Sequence, residues 1–324
     1  MNTKRHRNGG GWLIAAAAGL VLLAGGAAFG DAGAASGSVA YTIRSPKQTY
    51  VCCEPLVLEL TLTNVTQDPV QVNAPWDIGD GRTTVYQQRP GSEEQARYVP
   101  AIFSDYLSPN IVELAPGGAY TVRDLLTAYG GTSAFVLDRP GVHRFRVEAQ
   151  LAPADGQDAP SGKRPSVLTN WLEVTVRAPE GRESEALALW TEGLKTNGFD
   201  LNSFATRGGA LSRLLTEFPD TVYAFHGRHK RCTVGGLTES SLGELEDLYL
   251  NAPDFALRDE VMLDLARAYR SAQRYSDGAA VLGELLAEYP DSPLAEEAAE
   301  RKPWYERYAE DAERAAAREA AEGE

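Results

Sequence analysis

One short segment combines residue types and a spacing that could bind a metal ion. His226, His229 and Cys232 follow one another at intervals of three residues, which on a helix places them on adjacent faces of successive turns. Imidazole and thiolate groups are ligands that zinc and copper accept. The same spacing fits side chains that face a helix-packing core, and no fourth ligand can be named. The sequence therefore favours a structural role, with a metal site as the alternative.

No other set of residues predicts catalysis. His143 lies within a predicted strand beside Arg144, where a packed or edge position is expected. The sequence has neither a Gly-x-Ser-x-Gly nucleophile motif nor a glycine-rich phosphate-binding loop. The chain contains 45 Asp and Glu residues, so no particular pair can be singled out for acid–base chemistry. We therefore expect no catalytic residue and no cofactor, and a protein that is not an enzyme.

The N-terminus has the pattern of an export signal. Lys4, Arg5 and Arg7 precede an apolar run from Trp12 to Ala28, and small residues follow. We expect residues 1–34 to be a signal peptide and the mature chain to be periplasmic or extracellular. An uncleaved segment that tethers the chain to a membrane is the alternative. No later apolar run is long enough to cross a bilayer, so the mature chain is expected to lack an integral membrane domain.

The charge and the cysteines narrow the class of partner and the kind of fold. The net charge is −14, and residues 1–34 contribute +2, so the mature chain is near −16. Nucleic-acid binding needs a basic surface, so we expect no nucleic-acid partner. Cys52, Cys53 and Cys232 are an odd number of thiols, and neighbouring cysteines rarely pair. Their redox state is left open, and the fold must depend on its apolar cores.

From Val39 to about Arg177 apolar residues alternate with polar ones. Leu56, Leu58, Leu60 and Leu62 lie on one face of the clearest strand. About eight such strands, separated by Gly, Pro and Asn turns, predict an antiparallel sandwich. The string from Glu54 to Asn64, and the strand that follows Pro140-Gly141, resemble exported bacterial immunoglobulin-like domains. The resemblance implies an all-β immunoglobulin-like sandwich over residues 35–178.

The second half carries an internal repeat. Pro219-Asp220, Pro253-Asp254 and Pro290-Asp291 each follow a helix-like segment, and their prolines are 34 and then 37 residues apart. Helix pairs at this period resemble the tetratricopeptide repeat, and Ala266 and Tyr269 occupy its small and aromatic positions. The resemblance implies an all-α repeat array over residues 179–293. A charged capping helix is expected over 294–324, which makes the whole chain multi-domain.

Both module types serve mainly in recognition. Stacked helix pairs form a concave surface, so we expect an exported, non-catalytic binding scaffold for a protein or peptide partner. A secreted peptidase inhibitor acting through the sandwich is the alternative, with the loop Pro153–Pro165 entering a cleft. The residues expected to contact the partner lie on the first helices of the repeats, outside the core: Tyr223, Arg228, Arg258, Asp264, Arg267 and Arg270.

Overall fold

The computed structural model describes six stretches of the chain, namely residues 38–75, 83–98, 110–129, 134–150, 166–207 and 209–322. The predicted signal peptide and the predicted inhibitory loop lie outside the described residues. Strands occupy the first half and helices the second. The last strand ends at Arg177 and the first helix begins at Arg182. The change of element type thus falls where the sequence period changes.

Two β-sheets face each other in the first half. The first sheet is antiparallel, with the strand order β1 (Val39–Arg44), β3 (Leu56–Asn64) and β8 (Ala119–Leu126). The second sheet has the order β2 (Thr49–Val51), β11 (Leu172–Arg177), β9 (Gly141–Gln150), β5 (Thr83–Gln88) and β6 (Gln95–Arg97), and β10 (Ser166–Leu168) pairs with the end of β9. A small third sheet pairs β4 (Val70–Asn73) with β7 (Ile111–Leu114).

The alternation in β3 places its leucines between the two sheets. Leu56, Leu58, Leu60 and Leu62 are fully buried there. They belong to one apolar cluster with side chains of the second sheet such as Phe145 of β9. A period of two sends alternate side chains to one face, so these four leucines form a continuous apolar stripe.

Strand β2 moves the chain from the first sheet to the second. The loop from Ser45 to Gln48 leaves β1, and β2 then pairs in parallel with β11 while the other pairs of the second sheet are antiparallel. β2 is also the edge strand of its sheet. Among the described residues, one side of β2 therefore has no neighbouring strand.

Eight helices follow within the described residues: α1 (Arg182–Thr196), α2 (Leu201–Arg207), α3 (Gly209–Glu217), α4 (Val222–Val234), α5 (Glu239–Asn251), α6 (Arg258–Ser271), α7 (Tyr275–Glu288) and α8 (Ala295–Glu322). The three Pro-Asp turns follow α3, α5 and α7. No helix in this part of the chain combines the length and the apolar character that a membrane span requires. The described residues thus contain no integral membrane helix.

Close approach between α6, α7 and α8 depends on small residues. Ala266 of α6 is fully buried, and its carbonyl oxygen accepts a hydrogen bond of 3.0 Å from the hydroxyl of Tyr305 in α8. A methyl group at Gly278 in α7 would lie only 2.6 Å from the Tyr305 ring. The aromatic ring of α8 therefore occupies the space that a side chain at this position of α7 would need.

The helices pack directly on the sheets. Val57 of β3 shares an apolar cluster with α4 to α8, and Val51 of β2 shares another with α1 to α4. The hydroxyl of Tyr223 in α4 donates a 2.6 Å hydrogen bond to the carbonyl of Cys52, and the Trp190 indole donates one of 2.9 Å to that of Cys53. Strands and helices from residue 38 onward belong to one compact unit.

The expected fold class, a separate all-β sandwich followed by a separate all-α repeat array, is therefore wrong. The fold is mixed, because both faces of β3 are covered: its leucines by the second sheet, and Val57 and Glu59 by helices or by partners on them. Alternation along the strand identified the first covering layer. It carried no sign of the second, because the outward face of β3 is short and mostly polar.

Candidate binding cleft

A cleft of about 730 Å³ lies between the β1–β2 loop and the turns that precede α6 and α8. One wall consists of Ser45 to Thr49. The opposite wall consists of Pro253 to Ala256 and Glu288 to Ser292. The volume is within the range of about 300–1,000 Å³ that is typical of ligand pockets. The two Pro-Asp turns of this wall thus lie across the cleft from the β1–β2 loop.

A network of buried charges forms the floor of the cleft. The guanidinium of Arg123 in β8 contacts Glu59 Oε1 at 2.5 Å and forms a two-bond fork with Asp259 of α6, at 2.7 and 2.9 Å. The other oxygen of Glu59 accepts from Arg44 Nε at 2.5 Å. Asp259 Oδ2 also accepts a 2.5 Å hydrogen bond from the hydroxyl of Ser292. The network therefore joins the first sheet to α6 and to the turn before α8.

The pKa shifts of Asp259 and Arg123 favour the charged forms of both groups. Burial alone would raise the pKa of Asp259, but its hydrogen bonds and charge interaction with Arg123 more than offset this and hold the pKa below its usual value. The neighbouring carboxylates raise the pKa of Arg123 although burial opposes this. Asp259 therefore stays ionised and paired at neutral pH. It is not poised to donate a proton, which argues against general acid catalysis by this group.

A second buried carboxylate anchors the loop wall. Glu54 Oε2 accepts the backbone N–H of Val51 at 2.9 Å, and Glu54 Oε1 forms an ion pair with Lys47. His226 of α4 lies below, with its Nε2 atom 3.7 Å from Glu54 Oε1, which is longer than a hydrogen bond. Burial lowers the pKa of His226. Burial would raise the pKa of Glu54, but His226 and Lys47 outweigh it and lower this pKa.

The outer edge of β2 has free backbone groups that border the cleft. In a parallel pair alternate residues bond to the neighbour; Thr175 of β11 donates to Gln48, and Cys52 donates to Arg177. Residues 49 and 51 thus direct their N–H and C=O groups away from β11. The N–H of Val51 donates to the Glu54 carboxylate, and the C=O of Val51 accepts from the backbone N–H of Glu54. The N–H and C=O of Thr49 have no hydrogen-bond partner within the described residues, and Thr49 lines the cleft.

The three residues considered as metal ligands lie in the core around α4 and form separate contacts. His226 is beside Glu54, whereas His229 Nε2 lies 3.1 Å from Asp264 Oδ2. The Cys232 thiol is 3.6 Å from Glu244 and is a free thiol, and burial raises its pKa to about 12. In the described part of the chain, no three His, Cys, Asp or Glu side chains are arranged to hold a metal ion.

The predicted partner contacts are mostly engaged in internal interactions. Tyr223 is fully buried, and Arg228 forms an ion pair with Asp247. Asp264 lies between His229 and Arg267, and Arg267 also contacts Glu297 at 2.7 Å.

Two of the six predicted residues remain nearer the surface. Arg258 lines the cleft and donates a 2.5 Å hydrogen bond to the carbonyl of Tyr249. Arg270 is exposed on α6. The structure thus brings one predicted contact residue, Arg258, to the cleft.

Sequence reasoning missed the residues that build the cleft, above all Thr49, Glu59, Arg123 and Asp259. One signal was present for Glu59: a charged residue in the middle of a strongly apolar strand needs a partner if that face is covered. Nothing local indicated that the partner of Glu59 and Asp259 would be Arg123, because these residues are far apart in the sequence.

No protein-family model and no curated protein matches the sequence. Solved structures show weak similarity. A β-glucosidase from Listeria innocua in complex with isofagomine has 17% identity and a TM-score of 0.23, over 43% of this chain and 16% of that chain. The sporulation control protein Spo0M from Bacillus subtilis has 11% identity and a TM-score of 0.25, over 50% of this chain and 56% of that chain.

A third similarity is to the CARDB domain of the PF1109 protein from Pyrococcus furiosus, in complex with di-metal ions. It has 12% identity and a TM-score of 0.22, over 43% of this chain and 87% of that chain. This chain spans about a sixth of the β-glucosidase. At these TM-scores the similarities support no assignment of fold, activity or ligand.

Proposed function

We propose that the protein is a non-catalytic binding protein whose cleft receives a polypeptide segment of a partner protein. The observation that carries this proposal is the cleft itself: its two walls come from the strand half and the helical half, and its buried floor charges are paired with one another. Paired, fixed charges hold the walls in position without supplying a reactive group. A recognition site needs this kind of preformed geometry.

Peptide display tests the proposal directly. A library of random peptides is selected on the purified protein, and the bound peptides are then compared on two variants. Gln48→Trp adds a large side chain at an exposed position of the cleft wall, so we expect it to abolish binding. Gln71→Trp makes the same change at an exposed position of β4, outside the cleft lining, and should leave binding intact.

Two outcomes would contradict the proposal. Selection could yield no peptide at all, or it could yield peptides that bind the Gln48→Trp variant as well as the unchanged protein. Thermal melts of both variants show that a loss of binding is not a loss of folding.

We also propose that the protein acts in the periplasm or outside the cell. Support comes from the basic start, the apolar run and the small residues within residues 1–34. Sequencing of the N-terminus of the protein isolated from the producing cell tests this, with a mature start near residue 35 as the expected result. An intact Met1 on protein recovered from the cytoplasmic fraction would contradict it.

A further inference from the structure

The open edge of β2 is the feature of the cleft wall that is most specific in its chemistry. An edge strand with unpaired N–H and C=O groups is a template for another strand. In β2 most of these groups are already used, since β11 takes those of Tyr50 and Glu54 takes those of Val51. Thr49 keeps one donor and one acceptor, side by side on the cleft face.

The position of Thr49 gives an incoming chain room on either side. Thr49 and Lys47 line both the main cleft and a smaller adjoining cavity of about 280 Å³ that reaches Val222 and Asn251. The two spaces therefore follow the edge of β2 on both sides of Thr49. A chain that bonds to Thr49 can continue in an extended conformation along this path.

The charges around the cleft favour one kind of side chain on that segment. The lining includes Arg44, Lys47, Arg123 and Arg258, each of which contacts an acidic or carbonyl group of the protein itself. Asp254 and Asp291 of the opposite wall are exposed, and neither carboxylate has an ion-pair partner among the described residues. The unbalanced charge at the mouth of the cleft is therefore negative.

We infer that the partner segment binds as an added β-strand on the edge of β2, with its backbone bonded to Thr49 and a Lys or Arg side chain directed at Asp254 and Asp291. This inference rests on the proposed function and names the chemistry of its partner. Backbone hydrogen bonds supply the attachment and the basic side chain supplies the selectivity, as in other strand-addition complexes.

Two substitutions at Thr49 separate backbone bonding from side-chain contact. Thr49→Pro removes the N–H that faces the cleft, and Pro is tolerated on an edge strand when its missing N–H faces away from the sheet. Thr49→Ala keeps the N–H and removes the side chain. For a peptide selected on the unchanged protein, we expect Thr49→Pro to weaken binding about tenfold or more and Thr49→Ala to have little effect.

Methylation of the peptide backbone provides a second readout that needs no change in the protein. In an extended strand alternate N–H groups point to opposite edges. We therefore expect N-methylation to weaken binding at the peptide residue that donates to the Thr49 carbonyl, and not at the residues directly before and after it. This result remains decisive if the proline variant fails to fold.

The charge contribution is measured with paired substitutions. Asp254→Asn combined with Asp291→Asn should weaken binding of a Lys-containing or Arg-containing peptide, and added salt should reduce the difference. Glu319→Gln combined with Glu322→Gln removes the same charge from the exposed end of α8 and should leave binding unchanged.

The outcomes distinguish the inference from the proposed function. Peptides that need the cleft, but bind equally to Thr49→Pro and tolerate N-methylation at every position, would overturn strand addition and leave peptide binding standing. If the selected peptides lack Lys and Arg, and if the Asp254 and Asp291 substitutions leave their affinity unchanged, the preference for a basic side chain is overturned. The absence of any cleft-dependent peptide would remove the proposed function and this inference with it.

Discussion

At the residue scale, Arg123 determines how the sheet and the helices are joined. Its guanidinium lies between Glu59 of β3 and Asp259 of α6, and both carboxylates are almost fully buried. Taking ionised groups out of water is costly, and here mutual pairing offsets the cost. Removal of the central cation would leave two nearly buried carboxylates without their shared counter-ion, with only Arg44 beside Glu59 and Ser292 beside Asp259.

We expect Arg123→Met to destabilise the protein by about 3–5 kcal/mol, because it removes the cation that Glu59 and Asp259 share and leaves Asp259 without an ion-pair partner among the described residues. Arg144→Met is the matched control: Arg144 and Glu173 form an ion pair with both side chains more than half exposed, and its loss should cost at most about 1 kcal/mol. Urea denaturation measures both changes. Similar free energies of unfolding for the two variants would show that the network does not hold the halves together.

The pH dependence of stability follows from buried histidines. Burial lowers the pKa of His226 and of His143, so in the folded protein they resist protonation, whereas in the unfolded chain they take up a proton near pH 6.5. The unfolded state then binds more protons than the folded state, and stability falls as the pH drops below about 6.5. The lowered pKa of Glu54 and of Asp259 acts in a separate window, below about pH 4.5.

We therefore expect the free energy of unfolding to fall between about pH 6.5 and 5, by up to about 1.4 kcal/mol per pH unit for each of His226 and His143. His226→Gln should remove the contribution of that residue and make the slope shallower, and His143→Gln should do the same for the other. Urea unfolding across this pH range measures the slope. A slope that is unchanged in both variants would contradict the account.

At this scale the sequence predicted which side chains are buried better than it predicted which distant residues they contact. The leucines of β3 lie between the sheets as the alternation indicated. Glu59 alternates with these leucines and therefore lies on the other face of the strand, where α6 places Asp259 close enough to share the guanidinium of Arg123. His226 was weighed as a ligand or a core residue, and its neighbour Glu54 lies 172 positions earlier in the sequence. Local patterns report the periodicity of one element, and they do not report which distant element covers it.

At the scale of elements, the helices approach each other where side chains are absent. Gly278 of α7 faces the Tyr305 ring of α8, and Gly227 of α4 would place a methyl group 2.5 Å from Leu211 of α3. These contacts explain why glycine occurs inside helices, where it otherwise weakens them. The repeat of Pro-Asp turns was visible in the sequence, but the surface on which those turns pack was not.

A pair of glycines tests whether close packing or helix propensity decides stability. Gly278→Ala should destabilise the protein by about 1–3 kcal/mol, because the new methyl group collides with Tyr305. Gly243→Ala in α5 has open space around it and should stabilise the helix by about 0.5–1 kcal/mol. Chemical denaturation of both variants measures the sign of each change in the free energy of unfolding. Stabilisation by both substitutions would mean that α7 and α8 are farther apart than described.

At the scale of the whole molecule, the strands and helices share their cores. Val57 packs in the cluster of the later helices and Val51 in that of the earlier ones. A helix that unfolds would therefore uncover the outer face of a sheet. Such coupling is the usual basis of cooperative unfolding.

We accordingly expect a single calorimetric transition, with calorimetric and van't Hoff enthalpies that agree. The Gly278→Ala variant extends the test, because damage between α7 and α8 should also reduce the hydrogen-exchange protection of amides in β3. Two resolved transitions would show that the halves unfold as separate domains. Unchanged hydrogen-exchange protection of the β3 amides in the Gly278→Ala variant would show the same.

The bond between Arg123 and Asp259 spans 136 positions of the chain, which has a consequence for the order in which the protein folds. Synthesis begins at the N-terminus, so Glu59 and Arg123 can meet each other long before α6 exists. Pairings of such long range make folding slow. Until α6 arrives, Val57 and the charged face of the first sheet remain uncovered. During that interval the growing chain exposes surface that favours aggregation and that a chaperone would protect.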